Sequence, residues 1–331
     1  MYVLRESKLE DIDQLLELAK VGITSLPVNK EAMTHKIKRS IASFAATVNN
    51  PTDQYYLFTL EDTETGKVAG TSAIAATGSI VPTFRIVVEP LPSVDIPHPH
   101  DSTLLELHQE RTGASELCGL VLCESLQSKG VGHLLSKGRL LFIADHLTRF
   151  HTTLFADIRG VISNDGVCIF WEAIGKSFCP LSFAEVEELY RTKPTHLFPL
   201  FPKHPIYLAL LPKEVREVIG VTHPKSEGAL KLLLKEGFHI TDEIHPLDGG
   251  PRVIAPLLAI KSVREGKVAS VVEKSIQEGA AALIARTEAP FRACQGVIQE
   301  MPGGEVALTD EAKKALQIST GSHVRYLMRS S

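Results

Sequence analysis

The chain has 331 residues, 44% of them hydrophobic and 22% charged, with a formal net charge of −4 and a pI near 6.4. That length accommodates one large globular domain and a smaller one, and the weakly acidic balance argues against a nucleic-acid binder, which carries a basic stripe. Apolar runs fall short of the roughly 20 residues a membrane helix needs. Arg5, Glu6 and Lys8 near the start do not read as a signal peptide, so a cytoplasmic protein is expected. The five cysteines are odd in number and lack CxxC spacing. They read as reduced, buried thiols rather than a disulfide framework or zinc site, and no metal is expected.

Tyr2, Val3 and Leu4 read as a short strand. Ser7 and Glu10 have the S-x-x-E spacing of a capping box, and Leu9, Ile12, Leu15, Leu16 and Ala19 then recur at helical spacing. A second helix is predicted over 30–44. Residues 55–60 and 67–74 are β-type runs around a turn-rich segment, which predicts a hairpin. The stretch 82–113 reads as an extended excursion with strand pieces. Asp95, His98, His100 and Asp101 within it are metal-ligand types, but the intervening prolines mark an exposed segment.

A dense apolar run over 117–122 predicts a buried central strand. The loop 127–132 follows it, and Val131, Leu134, Leu135, Gly138, Leu141 and Phe142 then fall on one helical face. A strand is predicted over 153–158 and a helix end over 170–175, with Gly175 as its stop. A short helix (185–190), a strand-like piece (204–208) and a helix (229–236) stopped by Gly237 come next. Asp248-Gly249-Gly250-Pro251 is strong punctuation. Beyond it, 266–282 reads as a helix with some strand tendency and 291–300 as a strand. Thr309 caps a short helix with Asp310 and Glu311 in its first turn, and 324–328 closes the chain as a strand. The expected division is residues 1–254 as a large domain and 255–331 as a small C-terminal α+β domain.

The loop Gln127-Ser128-Lys129-Gly130-Val131-Gly132 carries the chemistry. The first N–H groups of a helix lack internal partners and point outward with the positive end of its dipole, so a pyrophosphate fits there. Gly130 and Gly132 allow close approach to the backbone, and Lys129 adds positive charge. The loop lacks the Lys-Ser/Thr ending of a nucleoside-triphosphate loop and is not G-x-G-x-x-G.

The element order resembles the GCN5-related N-acetyltransferase fold, a mixed α/β sheet flanked by helices. In that superfamily a [Q/R]-x-x-G-x-[G/A] loop binds the pyrophosphate of coenzyme A, and the strand before it splays from its neighbour. Longer motifs resemble the arginine/ornithine succinyltransferase family. They are Thr24-Ser25-Leu26-Pro27, Ser115-Glu116-Leu117-Cys118 with Leu120 and Leu122, Arg159-Gly160-Val161, Phe170-Trp171-Glu172, Lys203-His204-Pro205, Val218-Ile219-Gly220 with His223-Pro224, Glu236-Gly237-Phe238 and Asp248-Gly249-Gly250-Pro251. The resemblance spans nearly the whole chain. It departs at Gly119, where the family usually has Thr, at Ser177, and over 84–107.

The resemblance implies transfer of a succinyl group from succinyl-CoA, as co-substrate, to the α-amino group of arginine. It puts the proton donor at His223 and a succinyl-CoA contact at Leu120. Leu122, Gln127, Lys129, Gly130 and Gly132 complete the expected cofactor-binding set. Histidine titrates near neutrality and suits the proton transfers of amide formation. Backbone N–H groups near 120–122 suit the developing oxyanion, and no cysteine is required. Another amine such as ornithine, or a non-catalytic CoA-binding subunit, is the alternative. The expected partners are small molecules, with the chain forming a homo-oligomer or pairing with a related subunit.

Overall fold

The computed structural model describes residues 1–21, 26–78, 82–90, 102–109, 113–127, 130–192 and 196–329. In chain order the elements are β1 (Tyr2–Glu6), α1 (Ile12–Val21), α2 (Lys30–Ala45), β2 (Tyr55–Asp62), β3 (Val68–Ala75), β4 (Thr83–Glu89), β5 (Ser102–His108), β6 (Ser115–Leu122), α3 (Val131–Asp145), β7 (Thr153–Asp157), α4 (Ile169–Ala173), α5 (Phe183–Thr192), β8 (Ile206–Tyr207), α6 (Lys213–Arg216), α7 (Glu227–Lys235), β9 (His239–Ile244), β10 (Pro251–Pro256), α8 (Lys261–Glu265), β11 (Lys267–Ser275), β12 (Ala280–Arg286), β13 (Arg292–Glu300), β14 (Val306–Leu308), α9 (Asp310–Leu316) and β15 (His323–Met328). Lys129, the segment from Asp95 to Asp101, Thr24 and Ser25 lie outside the described residues.

An open mixed sheet runs in the order β1-β2-β3-β6-β7-β10-β9-β4-β5-β8. Within it β6 and β7 are the parallel pair. Helices α1 and α2 cover one face, where Leu15, Leu26, Met33 and Ile37 pack on Tyr55, Leu57 and Ala73. Helix α3 covers the other, packed on Leu4, Tyr56, Phe58 and Ile74. Its predicted apolar face is there, but Ser136, Arg139, Leu140 and Ile143 are buried too. Helix α8 and strands β12 and β13 press on the side away from the sheet, and a helix clamped from two sides cannot keep a polar face.

The predicted hairpin is β2–β3, antiparallel from Tyr55↔Ala75 to Glu61↔Val68 with a register shift between Leu60 and Glu61. Three local readings give way to tertiary context. Ser7 does not cap a helix: its hydroxyl bonds to Thr59 at 2.7 Å, and Asp11 takes the Lys8 N–H at 2.8 Å instead. Gly175 serves Trp171 more than helix termination, since a Cβ there would lie 2.0 Å from Trp171 Cε3. The stretch 266–282 holds strand β11 and the start of β12 rather than a helix.

Strands β12-β15-β11-β14-β13 close on themselves through a β12–β13 pairing, forming a small barrel. Ala269, Val271, Ala282 and Ile284 fill its interior, so nonlocal pairing overrides a weak local preference. Strand β13 also pairs with β1, Val3 opposite Cys294, which welds the barrel to the sheet edge.

Candidate active site

Strands β6 and β7 pair only at Ser115↔Leu154 and Glu116↔Phe155, then diverge. A cavity of about 1090 Å³ opens between them. The β3–β6 register shifts between Thr71 and Ala73, a bulge centred on Gly119 with φ +60°. A Cβ at Gly119 would meet that of Ala73 at 3.1 Å, so glycine is favoured at this bulge by conformation and by space. Arg139 reaches from α3 to the Ala73 and Cys118 carbonyls at 3.0 and 3.1 Å. Beyond the bulge Leu120 and Leu122 line the cavity, half-buried. The strand alternates between buried and half-buried residues rather than being buried throughout, because one of its faces looks into the cleft.

Gln127, Gly130 and Gly132 line the same cavity at the N-terminus of α3. Gly130 is the N-cap, with φ +78°, and the first turn carries no acidic residue. A Cβ at Gly130 or Gly132 would meet nothing within 4 Å. Open space over free N–H groups is what an anion needs to reach the backbone. The cavity thus gathers Leu120, Leu122, Gln127, Gly130 and Gly132; Lys129 lies outside the described residues.

Three segments distant in sequence meet past the end of β7. Gly160 bridges to Thr222. The His223 N–H donates to the Arg159 carbonyl at 2.8 Å, Gly220 to Gly249 at 2.8 Å, and Ile158 to Pro251 at 2.9 Å. A Cβ on Gly160 would lie 2.1 Å from the Asp248 carbonyl oxygen, and one on Gly250 would lie 2.0 Å from that of Ile158. Only glycine permits this crossing. It places Arg159 against Glu187 of α5 and 3.5 Å from Asp248.

This end of the cavity is acidic and ordered. Glu116, Asp157, Glu187 and Asp248 line it, with Arg159, Arg191, Tyr190 and His245. Asp157 is gripped by Arg252 at 2.7 and 2.9 Å. His245 Nδ1 lies 3.2 Å from Asp248 Oδ1, which also accepts the Gly250 N–H at 3.0 Å. Burial opposes the Asp248 carboxylate, yet His245, Arg159 and that N–H hold it down at about 2. Burial likewise opposes the His245 cation, yet Asp248 and then Asp157 raise it above its ordinary value. The Cys118 thiol, pushed up to about 12 by desolvation and by Glu116, stays protonated and is no nucleophile.

His223 stands beside the cavity rather than in its wall: Pro224, Lys225 and Ser226 line it. The ring caps a short helical turn, its Nδ1 accepting the Lys225 N–H at 3.1 Å. Burial and then Arg159 lower its pKa. Lys225 pairs with Glu124 at 2.9 Å, spanning the two arms of the splay. Lys203, His204 and Ser177 do not line the cavity.

Residues 2–262 match the family model described as arginine N-succinyltransferase beta subunit, and residues 264–328 match that of its C-terminal domain. The chain belongs to the arginine N-succinyltransferase family. It is therefore an acyltransferase. It is 34% identical to the arginine N-succinyltransferase subunit alpha of Pseudomonas aeruginosa, over 98% of this chain and 99% of that one. It is 34% identical to the arginine N-succinyltransferase of Escherichia coli (strain 55989), over 98% and 97%. The solved arginine/ornithine succinyltransferase subunit AI of Pseudomonas aeruginosa superposes with a TM-score of 0.88 at 31% identity, covering 100% of this chain and 99% of that one.

Among the described residues of this arginine N-succinyltransferase family member, no cluster of three or more His, Cys, Asp or Glu is arranged to hold a metal, and no helix is long and apolar enough to cross a membrane. Sequence reasoning did not single out His245, Asp157 or Glu187. The signal for Asp248 and Arg159 was present in Asp248-Gly249-Gly250 and Arg159-Gly160, whose glycines mark a close backbone crossing.

Proposed function

We propose that this chain transfers the succinyl group of succinyl-CoA to the α-amino group of L-arginine by direct attack of the amine on the thioester. The observation that carries this reading is the single cavity running from the open N-terminus of α3 to the acidic cluster around Asp157 and Asp248. The pyrophosphate occupies the N–H groups at Gly130 and Gly132, with Gln127 beside it. The pantetheine arm lies along Leu120 and Leu122 in the splay, where backbone N–H groups meet the oxyanion. The carboxylates at the far end favour a cationic acceptor.

His223 is the proton donor to the departing thiolate. The resting ring is neutral, with Nδ1 accepting the Lys225 N–H. Protonation of Nδ1 replaces that contact, and the resulting imidazolium, its pKa lowered by burial and Arg159, is a strong acid toward the thiolate. Ornithine is the second acceptor to consider, because the solved relative at 31% identity is described as an arginine/ornithine enzyme. The large unit is placed at residues 1–254 and the small one at 255–331; the separate barrel strands from Lys267 onward support two units, and the boundary between them falls within β10. The enzyme works in the cytoplasm, as a homo-oligomer or paired with a related subunit; relatives described as subunits support this.

The test is thiol release from succinyl-CoA and acetyl-CoA with a panel of amines. Release from succinyl-CoA with arginine supports the reading, and release only with another amine replaces the acceptor. His223→Ala is expected to cut turnover at least 10²-fold while CoA binding persists; unchanged turnover sinks the His223 assignment.

A further inference from the structure

His245 and Asp248 sit side by side in the acidic wall of the cavity, and their geometry is that of an oriented base. Asp248 is 2% exposed and His245 12% exposed. The Nδ1···Oδ1 contact puts the ring proton on Nδ1, so Nε2 carries the lone pair. Among the described residues no hydrogen bond reaches that Nε2. The ring cannot swing away, because the turn holding it is locked: the His245 N–H donates to Gly250 at 2.7 Å and Gly249 donates back to the His245 carbonyl at 2.9 Å. Tyr190 of α5 packs edge-on at 5.1 Å.

We propose that His245 is the general base that takes the proton from the acceptor ammonium, with Asp248 fixing its tautomer and orientation. The assignment rests on the acyl-transfer reading above. The two histidines then divide the work by their surroundings. His223 has its Nδ1 closed by a backbone N–H and Arg159 nearby, which favours giving a proton up. His245 has a carboxylate on Nδ1 and an open Nε2, which favours taking one.

The charged groups around His245 are Asp248 on its own turn, Asp157 of β7, Arg159 just beyond it and Arg252 of β10, with the neutral Tyr190 hydroxyl on α5. Arg252 is committed to Asp157 and Glu243, and Arg159 to Glu187 and Asp248. The carboxylates therefore dominate, and they stabilise the imidazolium formed when the ring accepts a proton.

In the step itself, His245 Nε2 takes one proton from the ammonium. The freed nitrogen lone pair forms the C–N bond at the thioester carbonyl. The C–S bond breaks with its electron pair going to sulfur, and the thiolate receives a proton from His223. The nitrogen's second proton passes to water as the amide forms, the His245 proton returns to solvent and His223 is reprotonated from solvent, so one net proton is released per turnover.

Steady-state CoA release with arginine and succinyl-CoA each varied, measured from about pH 6 to about pH 10 for the wild type, His245→Gln, His245→Ala and Asp248→Asn, tests the assignment. His245→Gln is expected to lower kcat about 10²–10⁴-fold near pH 7 with the KM for succinyl-CoA unchanged. The deficit narrows at high pH, where water removes the ammonium proton unaided. Added imidazole restores part of the rate of His245→Ala, and Asp248→Asn moves the acid limb of the wild-type profile to lower pH. Three results overturn the proposal: a deficit equal at every pH with no imidazole rescue, which marks a structural role; a raised KM for arginine at unchanged kcat, which marks a carboxylate anchor; or full activity in His245→Gln. A wild type that releases no CoA with arginine overturns the acyl-transfer reading itself, and the assignment with it.

Discussion

The side-chain amide of Gln295 donates a hydrogen bond to the carbonyl oxygen of Gly130 at 3.0 Å. Gln295 lies on β13 of the C-terminal barrel, and Gly130 is the N-cap of α3, where the loop turns toward the cavity with φ +78°. The barrel therefore reaches across and steadies the N-terminal end of the helix. Gln295→Ala removes one hydrogen bond, worth about 1 kcal/mol. The expected outcome is a KM for the acyl-CoA raised about 5-fold with kcat little changed, read from steady-state kinetics at varied acyl-CoA.

Gly160 and Gly250 tolerate no side chain where the three loops cross. Gly160→Ala or Gly250→Ala drives a Cβ into backbone atoms 2.0–2.1 Å away, and backbone cannot yield as a flexible side chain does. Each is expected to destabilise the fold by about 3 kcal/mol or more and to disperse Arg159, Asp248 and His245. Gly228, early in α7, has nothing within 4 Å. Gly228→Ala is expected to stabilise the fold by up to about 1 kcal/mol. Urea unfolding of the three variants checks the contrast.

The His245–Asp248 pair makes stability depend on pH in two opposite windows. Asp248 titrates at about 2 in the fold, below the ordinary aspartate value of 3.8. Its contribution is present above about pH 4 and is lost as pH falls toward about 2. His245 is shifted upward from 6.5, so its contribution is full below that value and is lost as pH rises through the folded pKa. Unfolding free energies measured against pH are expected to lose both slopes in Asp248→Asn.

Arg5 and Asp11 form a buried bidentate pair, with both contacts at 2.8 Å and both side chains about 6% exposed. Glu61 closes the other side of the guanidinium. Asp11→Ala strands a buried cation and is expected to cost about 3–5 kcal/mol. Arg5→Met combined with Asp11→Leu is expected to cost less than Asp11→Ala alone, because the buried guanidinium is gone and the carboxylate left behind, Glu61, is 23% exposed and reaches water. Denaturation midpoints of the single and double variants decide this.

Elements with strong local signals were legible in the sequence. The hairpin of β2 and β3 follows from two β-type runs around a turn-rich segment, and the Thr309 cap does accept the Ala312 N–H. The glycine loop before α3 was readable because helix-end chemistry is local. Ser7 was misread because its hydroxyl had a partner on Thr59, 52 residues away, and 266–282 was misread because its strands are decided by barrel closure.

By itself the sequence determined the anion-ready N-terminus of α3, the succession of elements around it and, through its longer motifs, the family resemblance. These depend on neighbours a few residues apart, or on residue patterns that survive without coordinates. The tertiary structure alone decided that β6 and β7 part after Glu116, that Gln295 holds Gly130, and that Arg159, His245 and Asp248 share one wall. Each of those depends on segments tens to hundreds of residues apart meeting, the last at a backbone crossing only glycine allows, and no local periodicity encodes such a meeting.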